Sequence, residues 1–137
     1  MGEKLNILIV EDSAVCRSGI QRLMSSYGQC DIAKDGAEGV EAVEAILNDS
    51  KKSYDLICLD SIMPNMSGLE ALVKIQAIET ENGFPIGRGA KVIMMTGQDD
   101  HTTIMEYFHN GCDGYIVKPV RLPAILEKMQ EFNLISE

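Results

Sequence analysis

The sequence predicts one α/β domain: a doubly wound, five-stranded parallel sheet with five helices covering its two faces. Three observations predict it. Strand-like and helix-like segments alternate five times, the strand-like runs are almost wholly apolar, and most connections between segments are short. Near-continuous apolar runs suit strands covered on both faces, and strict alternation with right-handed crossovers leaves a parallel sheet as the economical arrangement. At 137 residues the chain has the size of one domain, able to bury roughly two thirds of the surface its unfolded form exposes. Residues 1–137 are therefore expected to be a single domain, with its core at about 5–132 and no output module.

The strands are expected at Leu5 to Val10, Gln29 to Ala33, Leu56 to Leu59, Lys91 to Met95 and Gly114 to Val117. Apolar residues at helical spacing mark the helices between them. These are Cys16, Ile20, Leu23, Met24 and Tyr27 in the first, Val40, Val43 and Leu47 in the second, and Leu69, Leu72 and Val73 in the third. The fourth carries Ile104, Met105 and Phe108, and the fifth Leu122, Ile125, Leu126 and Met129. Ser67 and Asp99 suit helix starts, Gly28 and Gly111 suit left-handed helix ends, and Asp35-Gly36 marks a turn. One connection breaks the pattern: Glu79 to Ala90 holds Asn82, Gly83, Pro85, Gly87 and Gly89, and reads as a tolerated surface insertion.

Composition narrows the function classes. A formal charge of −9, with no basic cluster beyond Lys51-Lys52, argues against direct nucleic-acid binding and points to protein partners. Cys16, Cys30, Cys58 and Cys112 are too widely spaced for a zinc motif and are expected to be buried free thiols. The amino terminus is too short for a signal-peptide core, Asn6 breaks the myristoylation pattern, and no segment approaches a membrane span. A cytoplasmic protein without membrane contact is the expectation.

The chemistry lies at the strand ends. Asp60 terminates Leu56-Ile57-Cys58-Leu59, and the Pro64 and Gly68 that follow force a loop before the next helix. Glu11-Asp12 ends the first strand, Thr96 the fourth, and Lys118-Pro119 the fifth. Ligands of such sheets bind outside the carboxyl ends of the strands, so these polar groups should converge on one rim. Carboxylates crowded there repel one another, by about 4 kcal/mol per pair at 4 Å and an effective dielectric of roughly 20. They need a cation, and an all-oxygen site suits magnesium. Lys118 and the Thr96 hydroxyl can meet phosphoryl oxygens, leaving Asp60 as the in-line nucleophile of a phosphoryl transfer. Each residue alone is unremarkable: Glu11-Asp12 could simply start a helix, Asp60 could simply end a strand, and Thr96 and Lys118 could be ordinary surface groups.

Taken together, Glu11-Asp12-Ser13, Asp60-x-x-Met63-Pro64-x-Met66-x-Gly68, Thr96-Gly97 and Gly111-x-x-Gly114-Tyr115-x-x-Lys118-Pro119 resemble the receiver domain of two-component response regulators. The resemblance runs from Leu5 to about Phe132 and is nearest to the stand-alone type used in chemotaxis. It implies flavodoxin-like topology and transfer of a phosphoryl group to Asp60 from a histidine kinase or a histidine phosphotransfer protein. It also implies Mg2+ held by Asp12, Asp60 and the backbone carbonyl of Ile62, with Glu11 acting through water, and a cis Lys118-Pro119 bond. The family resemblance makes the protein a signalling switch instead of an enzyme, with Thr96 and Tyr115 as the switching pair. Its downstream protein target would meet Asp100, His101, Ile104, Tyr115, Val117 and Lys128, the chain being a monomer or a weak phosphorylation-dependent dimer. Ile62 and Gln98 would flank the phosphoryl group and set its lifetime.

Departures from the family pattern are mild: Glu11 stands for a common Asp, Gly97 for a common Ala and Ser67 for a frequent Asp. Two rivals share the topology or the nucleophile. A flavin-binding electron carrier would find its phosphate repelled by Glu11-Asp12, and a haloacid-dehalogenase-type phosphatase would need an acid where Ile62 stands. A receiver that acts without phosphorylation is the third alternative.

Overall fold

A computed structural model describes residues 5–85, 87–97 and 100–136. In chain order the elements are β1 (Leu5–Val10), α1 (Ala14–Met24), β2 (Gly28–Ala33), α2 (Gly36–Ser50), β3 (Leu56–Asp60), α3 (Gly68–Glu81), β4 (Lys91–Thr96), α4 (His101–His109), β5 (Gly114–Val117) and α5 (Leu122–Glu131). The five strands form one parallel sheet in the order β2-β1-β3-β4-β5. The chain leaves β1 toward β2 on one side and returns past it to β3 on the other. That reversal opens a crevice at the carboxyl ends of β1 and β3, where Val10 pairs with Leu59.

The apolar runs do what their composition requires. Ile7 to Val10 and Leu56 to Leu59 are buried because helices cover both sheet faces. One core holds Leu8, Val10, Leu59, Leu72, Ile75 and Met94 under α2, α3 and α4. The second holds Ile7, Ile9, Ile20, Met24, Ile125 and Met129 under α1 and α5. Edge strand β2 is more open, and Ile32 there is about half exposed.

Several local expectations change. β2 starts one residue earlier than expected, and β3 and β4 each run one residue further, so that Asp60 and Thr96 are themselves the last strand residues. Gly28 opens β2 and does not end a helix; a Cβ there would overlap the Leu5 carbonyl. Gly111 does take the left-handed conformation after α4, at φ +102°. Asp35 is the N-cap of α2, its side chain accepting from the Glu38 N–H, and Gly36 is the first helical residue. Asp99 lies outside the described residues, and Asp100 caps α4 by accepting from the Thr103 N–H at 3.1 Å.

Helix faces also differ from the simplest periodic reading. In α4 Ile104 and Tyr107 point inward, while Met105 and Phe108 are 52% and 40% exposed. In α3 Val73 faces out while Ala71, Leu72 and Ile75 are buried. Of the four thiols, Cys58 and Cys112 are buried and pushed up to about 12 by burial, Cys30 is half-buried and Cys16 is exposed on α1. The 82–90 connection is anchored: the buried Glu79 carboxylate accepts from the Ala90 N–H at 2.8 Å and fills the space a side chain on Gly89 would need.

Candidate functional site

At the crevice, Glu11 and Asp60 are almost fully buried and Asp12 is exposed, yet the three carboxylates bring oxygens within 4.8 Å of one another. Sheet register explains the approach of Asp60. Its strand neighbour Leu59 pairs with Val10, so the residue after each stands at the same height on the rim. Glu11 is fixed by its own backbone, whose N–H donates to the Ala33 carbonyl at 3.1 Å. Its Oε2 accepts from the Ser13 N–H at 3.1 Å. The loop after Asp60 is equally constrained. Ser61 N–H donates to the Met95 carbonyl at 2.9 Å, and Gly68 N–H donates to the Ser61 carbonyl at 3.0 Å. A Cβ at Gly68 would overlap the Asp60 carbonyl, and Ser67 with Glu70 forms a capping box that starts α3.

Lys118 enters from the far side of the crevice. Its N–H donates to the Thr96 carbonyl at 2.7 Å, and the Lys118-Pro119 peptide is cis. The ammonium lies 3.0 Å from Asp60 Oδ1 and 3.2 Å from Glu11 Oε1. Thr96 is buried at the end of β4, opposite Val117 in the sheet. Ile62 is 72% exposed at the mouth, and its N–H donates to Asp60 Oδ1 at 3.4 Å.

One ammonium faces three carboxylates, and the electrostatics show the imbalance. Burial, with the adjacent Glu11 carboxylate, pushes Asp60 up to about 7 despite the opposing pull of Lys118. Burial alone would lower Lys118, but its ion pairs with Asp60 and Glu11 outweigh that and raise it, so it stays charged. Glu11 Oε1 is buried and has the Lys118 ammonium nearby, but no hydrogen bond of good geometry. An all-oxygen donor set, surplus negative charge and an under-satisfied buried oxygen fit a hard divalent cation such as Mg2+.

Beside the site, an apolar groove of about 650 Å³ runs between α1 and the segment after β5, lined in part by Cys16, Ile20, Leu23, Lys118 and Pro119. On the other flank, Tyr115 is half-buried and its ring meets Phe108 edge-on, with centroids 6.2 Å apart and planes at 86°. Of the residues expected on a partner face, Asp100, His101 and Val117 are exposed and Lys128 is half-buried beside Glu131. Ile104 does not belong there: it is 8% exposed and packs into the core. Met105 and Phe108, not expected on that face, supply exposed apolar surface in its place because α4 turns its Ile104 and Tyr107 side inward. Sequence reasoning also missed Arg17, whose guanidinium reaches the Glu11 carbonyl at 2.9 Å. The signal for it was a cation six residues after the acidic pair begins, one turn into a helix. Gln98 lies outside the described residues.

The family model described as the response regulator receiver domain matches residues 7–130. The chain is 30% identical over 127 residues to the chemotaxis protein CheY of Listeria monocytogenes, covering 93% of this chain and 97% of that protein. Two solved structures are similar at 26% identity. The Saccharomyces cerevisiae Ssk1 receiver domain, crystallised with the histidine phosphotransfer protein Ypd1, aligns with a TM-score of 0.81 over 96% of this chain and 90% of that one. The CheX-CheY-BeF3-Mg2+ complex of Borrelia burgdorferi aligns with a TM-score of 0.79 over 93% and 89%. Other matched relatives are longer, and the chain spans 49%, 57% and 21% of three regulators among them.

This chain belongs to the response regulator receiver domain family, whose members are phosphorylation-dependent switches of phosphorelay signalling. Its Glu11, Asp12 and Asp60 form the acidic cluster of a receiver's phosphoryl and Mg2+ site, and family membership decides against the flavin carrier. Among the described residues no helix is long and apolar enough to cross a membrane.

Proposed function

We propose that Asp60 is the phosphoacceptor of a histidine-to-aspartate relay and that the domain is a cytoplasmic switch read by a protein partner. The observation that carries this is one constellation: a buried carboxylate at the end of β3, two further carboxylates within 4.8 Å, and an ammonium 3.0 Å away. An Asp60 oxygen attacks the phosphorus of a phosphohistidine, the P–N bond breaks, and the imidazole leaves with the bonding pair. Asp12, Asp60 and the Ile62 carbonyl would hold Mg2+, with Glu11 bound through water. The bound ion would neutralise charge on the phosphoryl oxygens. Lys118 is placed to exchange its ion pair with Asp60 for one with a phosphoryl oxygen, which couples occupancy of the site to the segment after β5. Burial around the carboxylate excludes bulk water and strengthens each of these interactions.

Thr96 and Tyr115 would carry the signal outward. Movement of the Thr96 hydroxyl toward the phosphoryl group makes room for the Tyr115 ring, which is half-buried against Phe108. The partner face would comprise Asp100, His101, Tyr115, Val117 and Lys128, extended by Met105 and Phe108. The phosphodonor is a histidine kinase or a histidine phosphotransfer protein, a reading supported by the likeness to the Ssk1 receiver crystallised with Ypd1. Incubation with acetyl phosphate and Mg2+ tests the assignment: one phosphoryl group should be added per chain, and Asp60→Asn should add none. Label retained by that variant would sink it.

A further inference from the structure

We propose that Arg17 is a positioning residue for the metal-binding carboxylates, acting by holding the Glu11-Asp12 peptide in place. Arg17 is the fourth residue of α1, and its own N–H donates to the Ser13 carbonyl at 2.8 Å. Its side chain folds back over the helix start, where Nη1 donates to the Glu11 carbonyl at 2.9 Å. The Glu11 N–H is already bound to the Ala33 carbonyl of β2, so residue 11 is held from both sides. A peptide unit is planar, and the Glu11 carbonyl belongs to the same plane as the Asp12 nitrogen and Cα. Fixing that carbonyl therefore fixes the direction in which Asp12 leaves the strand.

Asp12 needs such support. Glu11 is buried and its Oε2 is bound by the Ser13 N–H, and Asp60 ends a buried strand. Asp12 is exposed, and among the described residues no hydrogen bond holds its carboxylate. Its place within 4.8 Å of the other two depends on the backbone that carries it. Outer-shell groups that orient metal ligands commonly contribute about tenfold or more to metal affinity.

Electrostatics gives the opposite sign, which makes the inference sharp. A guanidinium is always charged and repels a dication, so a purely Coulombic Arg17 would weaken Mg2+ binding and its loss would tighten it. Positioning predicts that loss weakens binding. The inference rests on the reading of Glu11, Asp12 and Asp60 as a Mg2+ site, and the experiment separates the two. Mg2+ alone is titrated calorimetrically into the parent, Asp12→Ala, Arg17→Met, Arg17→Lys and Arg22→Met, with thermal melts run on each. A parent that binds no Mg2+, or an Asp12→Ala variant that binds normally, would overturn the site reading itself.

With that reading intact, Arg17→Met should bind Mg2+ about tenfold more weakly. Arg22→Met, which removes a charge elsewhere on α1, should match the parent. Arg17→Lys keeps a donor and should lie closer to the parent than Arg17→Met. Unchanged or tighter Mg2+ binding in a folded Arg17→Met variant overturns the inference. If Arg17→Met does not fold, Arg17→Gln replaces it, and a loss in Arg17→Lys as large as in Arg17→Gln overturns it equally.

Discussion

The two edges of the sheet carry the same residue type in opposite circumstances. At the amino edge, Asp55 accepts from the Asn6 N–H, Glu79 from the Ala90 N–H and Asp113 from the Val92 N–H, each at 2.8 Å. Each carboxylate there satisfies a backbone donor near the start of a strand. At the carboxyl edge, Glu11, Asp12 and Asp60 face one another with one ammonium between two of them. Burial raises Glu79, Asp113 and Asp60 alike, but a backbone hydrogen bond pulls the first two back, whereas Glu11 drives Asp60 further up. A buried carboxylate is therefore structural or functional according to what satisfies it. Backbone donors make it a brace; another carboxylate makes it part of a cation site.

Stability should separate the two edges most strongly. Glu79→Ala removes the acceptor of a buried N–H and leaves a cavity beneath the 82–90 connection, so it should cost about 2–4 kcal/mol in urea unfolding. Asp60→Asn, measured without metal, should cost nothing or stabilise, because it removes a crowded charge. Similar losses for both would erase the distinction between the edges.

Next in size is the pH response of the metal-free protein. Asp60 is pushed up to about 7 in the folded state, above its ordinary value of 3.8. Between those values the folded state binds more protons than the unfolded one, so stability falls as pH rises from about 4 to 7. Glu79 and Asp113 are also raised and act in the same sense. Urea midpoints should thus decline from about pH 5 to about pH 8, less steeply in Asp60→Asn, and Mg2+ should restore much of the loss at the upper end. A parent slope equal to that of Asp60→Asn would contradict the role given to Asp60.

Lys118→Ala sharpens the division of labour within the carboxyl edge. The ammonium pairs with Asp60 and Glu11, so its loss should slow labelling by acetyl phosphate severalfold while Mg2+ affinity changes less than in Asp12→Ala. Equal loss of metal binding in both variants would count against it. The smallest effect on the fold belongs to Ile62→Asn. Ile62 is 72% exposed, so stability should stay within about 0.5 kcal/mol of the parent. The decay of phospho-Asp60 should nevertheless change, because an amide can orient a water where isoleucine cannot. Superimposable decay curves would show that Ile62 does not gate that water.

What the sequence determined by itself was local and periodic. Apolar runs such as Leu56 to Leu59 suit only covered strands, the helical spacing of Ile125 and Met129 sets an inward face, and Pro64 with Gly68 forces the loop that leaves Asp60 at a rim. The acids, Thr96 and Lys118 were legible for the same reason: a polar residue that ends an apolar run is at the edge of a sheet.

Tertiary structure alone decided the rest. The acidic strand ends were already expected on one rim; what strand order added, by setting β1 directly beside β3, is the approach that brings Glu11, Asp12 and Asp60 within 4.8 Å. Docking of α4 chose Ile104 and Tyr107 for the core and left Met105 and Phe108 outside, although all four are apolar enough to be buried. Gly28, Glu79 and Arg17 take their roles from what stands opposite them: the Leu5 carbonyl, the Ala90 N–H and the Glu11 carbonyl. The reason is physical: periodicity reports which side of an element is apolar, whereas a partner for a buried polar group exists only once separate elements have packed.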